Sequence, residues 1–257
     1  MLYYLFSYLN ELDVPGAGVF DFITFRTAMA TITSLVISLL FGKRIINLLR
    51  KMQVGETVRD LGLEGQLEKQ GTPTMGGILI LSAIIIPTVL FAKLENTYIW
   101  LMLIVTVGLG LIGFADDYIK VFKKNKAGLA GKFKIVGQVG IGIIAGTILY
   151  FNGDITIKHK TYDEAGNVVT EEIVRENGAV EDRIMWEETN VTKTTIPFVK
   201  HNEFDYRWIV DWLGETVAGY AWIIYILLVV IIVTSVSNGA NMTDGLDGLA
   251  GGTSAII

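Results

Sequence analysis

The sequence predicts an all-α polytopic membrane protein with a small β-rich insertion. Its 257 residues are 51% hydrophobic and 18% charged, with a mean hydropathy of +0.49, whereas soluble domains carry about 25% charged residues. The charges are concentrated in short basic loops and one long acidic stretch, with long charge-free runs between them. This pattern excludes a water-soluble globule, a disordered chain and a collagen-like repeat. The absence of cysteine excludes a disulfide framework, a thiolate nucleophile and a cysteine-ligated metal site.

Five runs without acidic or basic side chains predict five complete transmembrane helices, because a helix needs about 20 apolar residues to cross the membrane. The runs cover residues 27–42, 70–92, 96–115, 135–153 and 216–243. The first run is short, but residues 22–25 extend it past Arg26, whose long side chain can reach the membrane interface. The start of a sixth helix follows near Leu249, and residues 1–10 predict an interfacial helix rich in Tyr and Phe.

The basic residues of the loops predict the orientation in the membrane. The loops after the first and third predicted helices are rich in Lys and Arg, whereas the loop after the second holds only Lys93. Because basic loops are retained on the cytoplasmic side, both basic loops are predicted to face the cytoplasm. The N-terminus and residues 154–215 are then outside, and the loop at residues 241–252 is inside.

Residues 154–215 are predicted to form a small exported, β-rich insertion. The segment holds 14 acidic and 7 basic residues, and its short β-branched stretches alternate with Asn-Gly turn signals. A disordered loop is the alternative. The chain is thus divided into a membrane domain at residues 1–153, the insertion at 154–215, and a second membrane segment at 216–257.

The first polar motif of the predicted cytoplasmic face is the pair Asp116-Asp117, at the inner end of the third helix. Carboxylates are disfavoured at a helix C-terminus, and two adjacent ones repel each other. A metal ion, nearby lysines or a function should offset that cost, and Lys120 is spaced to pair with either carboxylate on a helix. The simpler alternative is a solvated, lysine-paired helix end.

Two further motifs fall on the same face. The sequence GTPTMGG at residues 71–77 follows Lys69 and opens the second predicted helix, where free amides favour anions. In residues 241–252, Asn241, Asp244 and Asp247 recur every third residue among glycines and could bind a hydrated metal, a sugar or a base. A capped helix start and a Gly/Asp-rich turn are the simpler alternatives. Acids and lysines at a membrane edge are typical of reactions between phosphates, in which the acids hold Mg²⁺.

Four motifs in order resemble the phospho-N-acetylmuramoyl-pentapeptide transferase family. They are GTPTMGG at 71–77, FADDY at 114–118, GLAGKFKIVGQ at 128–138 and NMTDGLDGLAGG at 241–252. The resemblance implies transfer of phospho-N-acetylmuramoyl-pentapeptide from UDP-N-acetylmuramoyl-pentapeptide to undecaprenyl phosphate, giving lipid I and UMP in peptidoglycan synthesis. It also implies Mg²⁺ dependence, a site facing the cytoplasm, and a location in the bacterial inner membrane.

The resemblance also implies site residues and partners. Asp116 and Asp117 belong to the catalytic centre and are candidate metal ligands. The residues implied to bind substrate are Lys69, Thr74, Lys120 and Lys132 in the nucleotide-sugar and diphosphate cleft, and Asn241, Asp244, Gly245, Leu246 and Asp247 in the uridine and catalytic region. The lipid bilayer and a second copy of the chain are expected partners, and nucleic acid is not. Because the family's later Asp metal ligand and histidine-rich motif are not among these residues, we expect an N-terminal part that is inactive alone.

Other functions and two mechanisms remain open at this level. Another polyprenyl-phosphate sugar-1-phosphate transferase would share the Asp pair. A secondary transporter could use the pair as a proton or cation site, and a scaffold protein could be built around the insertion. For a transferase, direct displacement by the lipid phosphate is favoured over a covalent aspartyl-phosphate intermediate, with Asp117 acting on the lipid phosphate and Asp116 supporting the metal or lysine geometry, or the reverse.

Overall fold

Helices dominate the computed structural model of the chain. It describes residues 1–52, 75–123, 125, 128–161, 163, 167–174, 180–189, 193–195, 203–210, 214, 219–243 and 249–256. The helices are α1 (Leu2–Glu11), α2 (Ile23–Met52), α3 (Gly77–Phe91), α4 (Thr97–Phe122), α5 (Gly131–Phe151), α6 (Ala221–Thr243) and α7 (Leu249–Ile256). Short 3₁₀ helices occupy Ala17–Asp21 and Tyr206–Ile209.

Four of these helices, α2, α4, α5 and α6, are long and apolar enough to cross a membrane. They contain 30, 26, 21 and 23 residues. The helix α3 has 15 residues and therefore extends about 22 Å, which is short of a full crossing. The prediction of an all-α polytopic membrane protein is confirmed. The count of five spans stays a prediction, since residues 70–74 of the second run lie outside the described part of the chain.

The first of two compact units comprises residues 1–141 and 233–257. Its helices pack closely through glycines. A methyl group added at Gly42 of α2 would lie 3.5 Å from Leu79 of α3, and one added at Gly110 of α4 would lie 2.6 Å from Leu81. A methyl group added at Gly137 of α5 would lie 2.7 Å from the side chain of Ile112 of α4. Small residues thus allow α2, α3, α4 and the start of α5 to lie side by side.

Two tyrosines of α1, Tyr3 and Tyr4, attach this helix to the same unit. The Tyr4 hydroxyl accepts a hydrogen bond from the backbone N–H of Glu95 at 3.0 Å. The guanidinium carbon of Arg26 lies 4.6 Å from the centroid of the Tyr3 ring, within the range of a cation–π interaction. Arg26 therefore contacts α1, the helix that the sequence predicts to lie at the membrane interface, and its own reach to the interface stays a prediction.

The second unit, residues 142–232, contains a helix pair and short strands. Methyl groups added at Gly142 and Gly146 of α5 would lie 2.8 Å and 3.2 Å from the Cα atoms of Val230 and Ile226 of α6. From Gly142 to Gly146 the residue number rises along α5, while the contacted residue of α6 falls from Val230 to Ile226. The two helices are therefore antiparallel here. Their backbones approach closely because glycine leaves room for the neighbouring chain.

In the described residues of this unit, the strands form three two-stranded antiparallel sheets. The strands are β1 (Ile157–Lys160), β2 (Thr170–Val174), β3 (Val180–Ile184), β4 (Trp186–Thr189), β5 (Lys193–Thr195) and β6 (Glu203–Asp205). β1 pairs with β4, β2 with β3, and β5 with β6, with Thr170 opposite Ile184 in the second sheet. All six lie within residues 154–215, the segment predicted to be a β-rich insertion.

Candidate active site

Asp116 is the most enclosed charged group in the described part of the chain. It lies near the C-terminal end of α4, and its side chain is 10% exposed. Its Oδ2 atom lies 2.8 Å from Nζ of Lys120, one helical turn later, and its Oδ1 atom lies 2.9 Å from Nζ of Lys134 in α5. The backbone N–H of Leu129 donates a third hydrogen bond to Oδ1 at 2.7 Å. Two cations and one N–H thus compensate this carboxylate for its removal from water.

The short connection between α4 and α5 is shaped around Asp116. Gly128 has a left-handed backbone with φ +66°, and its N–H donates to the carbonyl of Asn125 at 2.9 Å. A Cβ atom at Gly128 would lie 2.7 Å from Cε of Lys120 and closer still to Oδ1 of Asp116. Glycine is therefore required here both by the backbone conformation and by the space that the ion pair occupies.

Asp117 has a different environment from its neighbour. Its side chain is 33% exposed, and its Oδ1 atom lies 3.9 Å from Nζ of Lys120. It also accepts a hydrogen bond from the backbone N–H of Met75. Met75 is buried and has φ +65°, an uncommon conformation for a residue with a long side chain. The structure thus brings the end of the GTPTMGG motif against the second carboxylate, in a backbone geometry that is typical of functional sites.

The structure describes only some of the residues that the sequence singled out. Asp116, Asp117 and Lys120 come together, whereas Lys132 is exposed in the first turn of α5 and Asn241 is exposed in the last turn of α6. The predicted site residues outside the described part are Lys69, Thr74, Asp244, Gly245, Leu246 and Asp247. Their proposed contacts with substrate stay predictions.

Lys134 is the site residue that sequence reasoning missed. Each residue of a helix is rotated by about 100° about the helix axis from the one before, so Lys134 is rotated by about 200° from Lys132 and points to nearly the opposite side. Only one of the two can therefore face α4, and it is Lys134 that contacts Asp116. The spacing alone could have indicated that one of these lysines is turned away, but it could not have indicated which one.

The carboxylates differ in what they can offer a metal ion. Both oxygens of Asp116 already bind ammonium groups, whereas Asp117 is partly exposed and its Oδ1 atom lies farther from Lys120, at 3.9 Å. In the described residues there is no group of three or more His, Asp or Glu side chains that could hold a metal by themselves. Mg²⁺ is commonly bound by one or two carboxylates together with substrate phosphates. Asp117 has the more open carboxylate for that mode, and the assignment of both Asp116 and Asp117 as metal ligands stays a prediction.

Comparison with known families now adds a match over most of the chain. Residues 99–257, which include the Asp pair, Lys134 and α6, match the family model described as Glycosyl transferase family 4. This chain belongs to glycosyl transferase family 4. Within the family, residues 69–81 match the pattern described as Phospho-N-acetylmuramoyl-pentapeptide-transferase signature 1. That signature contains Met75, the residue whose N–H binds Asp117.

Named relatives of this family member are similar over its full length. A phospho-N-acetylmuramoyl-pentapeptide-transferase from Parabacteroides distasonis is 57% identical over 257 residues, which is 100% of this chain and 59% of the relative. The protein of the same name from Flavobacterium psychrophilum is 54% identical, with 100% and 61% covered, and that from Bacteroides fragilis is 46% identical, with 100% and 59% covered. The chain thus spans about three-fifths of the length of these relatives, and the matched region includes residues 154–215.

Proposed function

We propose that the full-length protein transfers phospho-N-acetylmuramoyl-pentapeptide from UDP-N-acetylmuramoyl-pentapeptide to undecaprenyl phosphate. The products are lipid I and UMP, in a step of peptidoglycan synthesis. The observation that carries the proposal is the contact between Asp117 and Met75, because it joins the signature segment to a lysine-supported carboxylate pair. The names of the relatives in Parabacteroides and Flavobacterium support the same reaction.

The two carboxylates have separate roles in this proposal. Asp116 organises the site, because its oxygens hold Lys120 and Lys134 and fix the connection at Leu129. Asp117 has an accessible carboxylate and acts on the substrate, where it orients or deprotonates the lipid phosphate. The second pKa of a phosphomonoester is about 6, so much of the lipid phosphate is already dianionic at neutral pH. Asp117 therefore needs to contribute more by positioning than by basicity.

The main obstacle to the reaction is the approach of two polyanions. Lys120 and Lys132 are proposed to bind the diphosphate together with Lys69 and Thr74, while Asn241, Asp244, Gly245, Leu246 and Asp247 bind the nucleotide region. A bound Mg²⁺, held by Asp117 and the substrate, would neutralise charge on the phosphoryl oxygens. In a direct displacement, a lipid phosphate oxygen attacks the sugar-side phosphorus, and the bond to the uridine-side phosphate breaks as UMP leaves.

The proposed setting is the bacterial inner membrane, with the site facing the cytoplasm. The basic residues in the last turn of α2, Arg50 and Lys51, and Lys123 after α4 support this orientation. The N-terminus and residues 154–215 are then extracytoplasmic, between membrane segments at residues 1–153 and 216–257. A second copy of the chain is a proposed partner within the bilayer.

An assay of UMP release tests the proposal. The full-length protein in liposomes should release UMP from UDP-N-acetylmuramoyl-pentapeptide only when undecaprenyl phosphate and Mg²⁺ are both present. Release without a polyprenyl phosphate, or no release with both, contradicts the proposal. Activity with a different UDP-sugar alone would favour another sugar-1-phosphate transferase of the family, and ion transport without UMP release would favour the transporter alternative.

The same preparation separates the two transfer mechanisms. Direct displacement predicts no UMP in the absence of the lipid acceptor. A covalent route predicts one UMP per active site without acceptor, together with a phosphorylated Asp117 detectable by mass spectrometry. Detection of that adduct would overturn the direct route while leaving the overall reaction intact.

A further inference from the structure

A pair of side-chain amides joins α5 to α6 within the first unit. Gln138, in α5, is 5% exposed. Nδ2 of Asn238, in α6, donates to Oε1 of Gln138 at 2.9 Å, and Nε2 of Gln138 donates to Oγ of Ser237 at 3.0 Å. Nε2 of Gln138 also lies 3.5 Å from Oδ1 of Asn238, so that the two amides face each other reciprocally.

The orientation of this pair is fixed by its surroundings. Nδ2 of Asn238 donates its other hydrogen to the carbonyl of Thr234 at 2.8 Å. A backbone carbonyl only accepts hydrogen bonds, so the NH₂ group of Asn238 must face Thr234. Its second hydrogen then requires an acceptor, which is Oε1 of Gln138. The network is thus self-consistent and leaves one amide arrangement rather than several.

The pair lies where each helix leads into the candidate active site. Gln138 comes four residues after Lys134, the partner of Asp116, and Asn238 comes three residues before Asn241. Both spacings are about one helical turn, so each amide shares a helix face with its neighbour toward the site. A polar pair inside two apolar helices is costly unless satisfied, and such pairs fix how transmembrane helices are placed against each other.

We infer that Gln138 and Asn238 are positioning residues, which fix the register between the Lys134 turn of α5 and the Asn241 turn of α6. The pair touches neither Asp116 nor Asp117 and acts through the two helices. Loss of either amide lets the helices shift against each other, so that Asn241 is no longer held at one position relative to the Asp116–Lys134 ion pair. The consequence for catalysis, weaker binding of the nucleotide-sugar donor, rests on the proposed function.

The first arm of the test measures the register between α5 and α6 directly and does not depend on enzymatic activity. Because residues 1–257 contain no cysteine, spin labels can be placed through Val136→Cys and Met242→Cys in the full-length protein, with any cysteine outside these residues replaced by serine. The parent protein should give one narrow distance distribution by electron paramagnetic resonance. Gln138→Leu and Asn238→Leu should broaden or shift it, whereas the exchange variant Gln138→Asn/Asn238→Gln, which keeps two amides and their combined length, should restore it.

Ser235→Ala is the matched control, since it removes an exposed polar side chain from α6, the helix that contains Asn238. It should leave the distribution unchanged. If Gln138→Leu cannot be purified, Gln138→Asn alone replaces it, and the exchange variant must still improve on that single change. Unchanged distributions in the single variants, or an exchange variant as broad as they are, would overturn the inference.

The second arm separates positioning from a loss of folded protein. A variant that merely unfolds lowers kcat through the number of active molecules and leaves KM unchanged. Loss of register should raise the KM of the nucleotide-sugar donor about tenfold, which corresponds to about 1.4 kcal/mol of lost donor binding, since Asn241 is no longer held where it contacts the donor. The exchange variant should recover most of this loss, and a pure kcat effect would contradict the inference. If the parent protein releases no UMP, the proposed function fails while the distance measurements still decide the register.

Discussion

Asp116 and Asp117 are adjacent in sequence but differ in environment. The first carboxylate binds two ammonium groups and one backbone N–H, while the second is partly open and is approached by the N–H of Met75. Since neighbours on a helix point about 100° apart, one can face the packed connection while the other lies against Met75 and stays 33% exposed. The proposed division of roles, in which Asp116 organises the site and Asp117 acts on the substrate, is based on this difference.

The two carboxylates should therefore respond differently to neutral substitution. Asp117→Asn should lower kcat at least a hundredfold, about the size expected for loss of a positioned acid–base or substrate-orienting group, with an unchanged melting temperature. Asp116→Asn should lower the melting temperature as well, because it removes the carboxylate that binds both Lys120 and Lys134. Thermal unfolding followed by size-exclusion chromatography, alongside UMP release, distinguishes the two. Equal melting temperatures for both variants would contradict an organising role for Asp116.

Lys134 and Lys132 provide a second matched comparison. Lys134→Met should destabilise the protein by about 1.5–3 kcal/mol, the usual contribution of a hydrogen bond to a charged group, because Asp116 then keeps only Lys120 and the Leu129 N–H. Lys132→Met should leave the melting temperature unchanged, because Lys132 is exposed, although substrate binding can weaken. A larger loss of stability in the Lys132 variant would show that the wrong lysine has been assigned to Asp116.

Gly128 should tolerate no side chain. Gly128→Ala adds a methyl group against Lys120 and Asp116 at a position with φ +66°, so we expect a lower melting temperature and a large loss of UMP release. Gly131→Ala is the control, because a methyl group there meets nothing within 4 Å. Activity of the Gly128 variant close to that of the control would contradict the close fit of this connection.

At the level of elements, the charge-free runs located the helices better than they located their ends. The run 96–115 corresponds to α4, which extends over Thr97–Phe122 in the structure. The run 135–153 corresponds to α5, which extends over Gly131–Phe151. A charge-free run ends at the first charged residue. A helix can continue past that residue when its charged side chains form ion pairs, as Asp116 does with Lys120. This is why the Asp pair lies inside α4 rather than after it. The contact of Lys134 with Asp116 depends on helix rotation, which a single sequence does not determine.

The close packing of α5 against α6 predicts a sharp glycine dependence. Gly142→Ala should lower the melting temperature, because its methyl group would lie 2.8 Å from the Cα atom of Val230, a backbone atom that cannot turn aside. Gly140→Ala, two residues earlier in the same helix, meets nothing within 4 Å and should have little effect. Equal stability of the two variants would contradict the antiparallel packing of this helix pair.

At the scale of the whole molecule, the sequence predicted the class of protein, and the four long apolar helices support it. Orientation depends on the bilayer and on charge asymmetry, so it is predicted from the loops rather than observed in the fold. The short helix α3 shows why counting spans is harder than recognising a membrane protein. The sequence before it is polar, so the second charge-free run is apolar over only part of its length.

Labelling from the two sides of the membrane tests the orientation. With no other cysteine in residues 1–257, Lys123→Cys should react with an impermeant maleimide only after the membrane is opened. Arg183→Cys, at an exposed position of β3, should react in intact spheroplasts. The reverse pattern would place the Asp pair outside the cell, away from a cytoplasmic nucleotide donor, and would contradict the proposed function together with the orientation.

The bond from Leu129 to Asp116 has a consequence for biosynthesis. A carboxylate at the membrane edge is less costly once ammonium groups and an N–H compensate its charge, and Lys134 and the Leu129 amide emerge from the ribosome only after α4 is complete. The insertion machinery should therefore hold α4 until the start of α5 arrives, and release the two as one hairpin. Integration of α4, read from the glycosylation of an engineered acceptor site, should then depend on whether residues 128–134 have yet been translated.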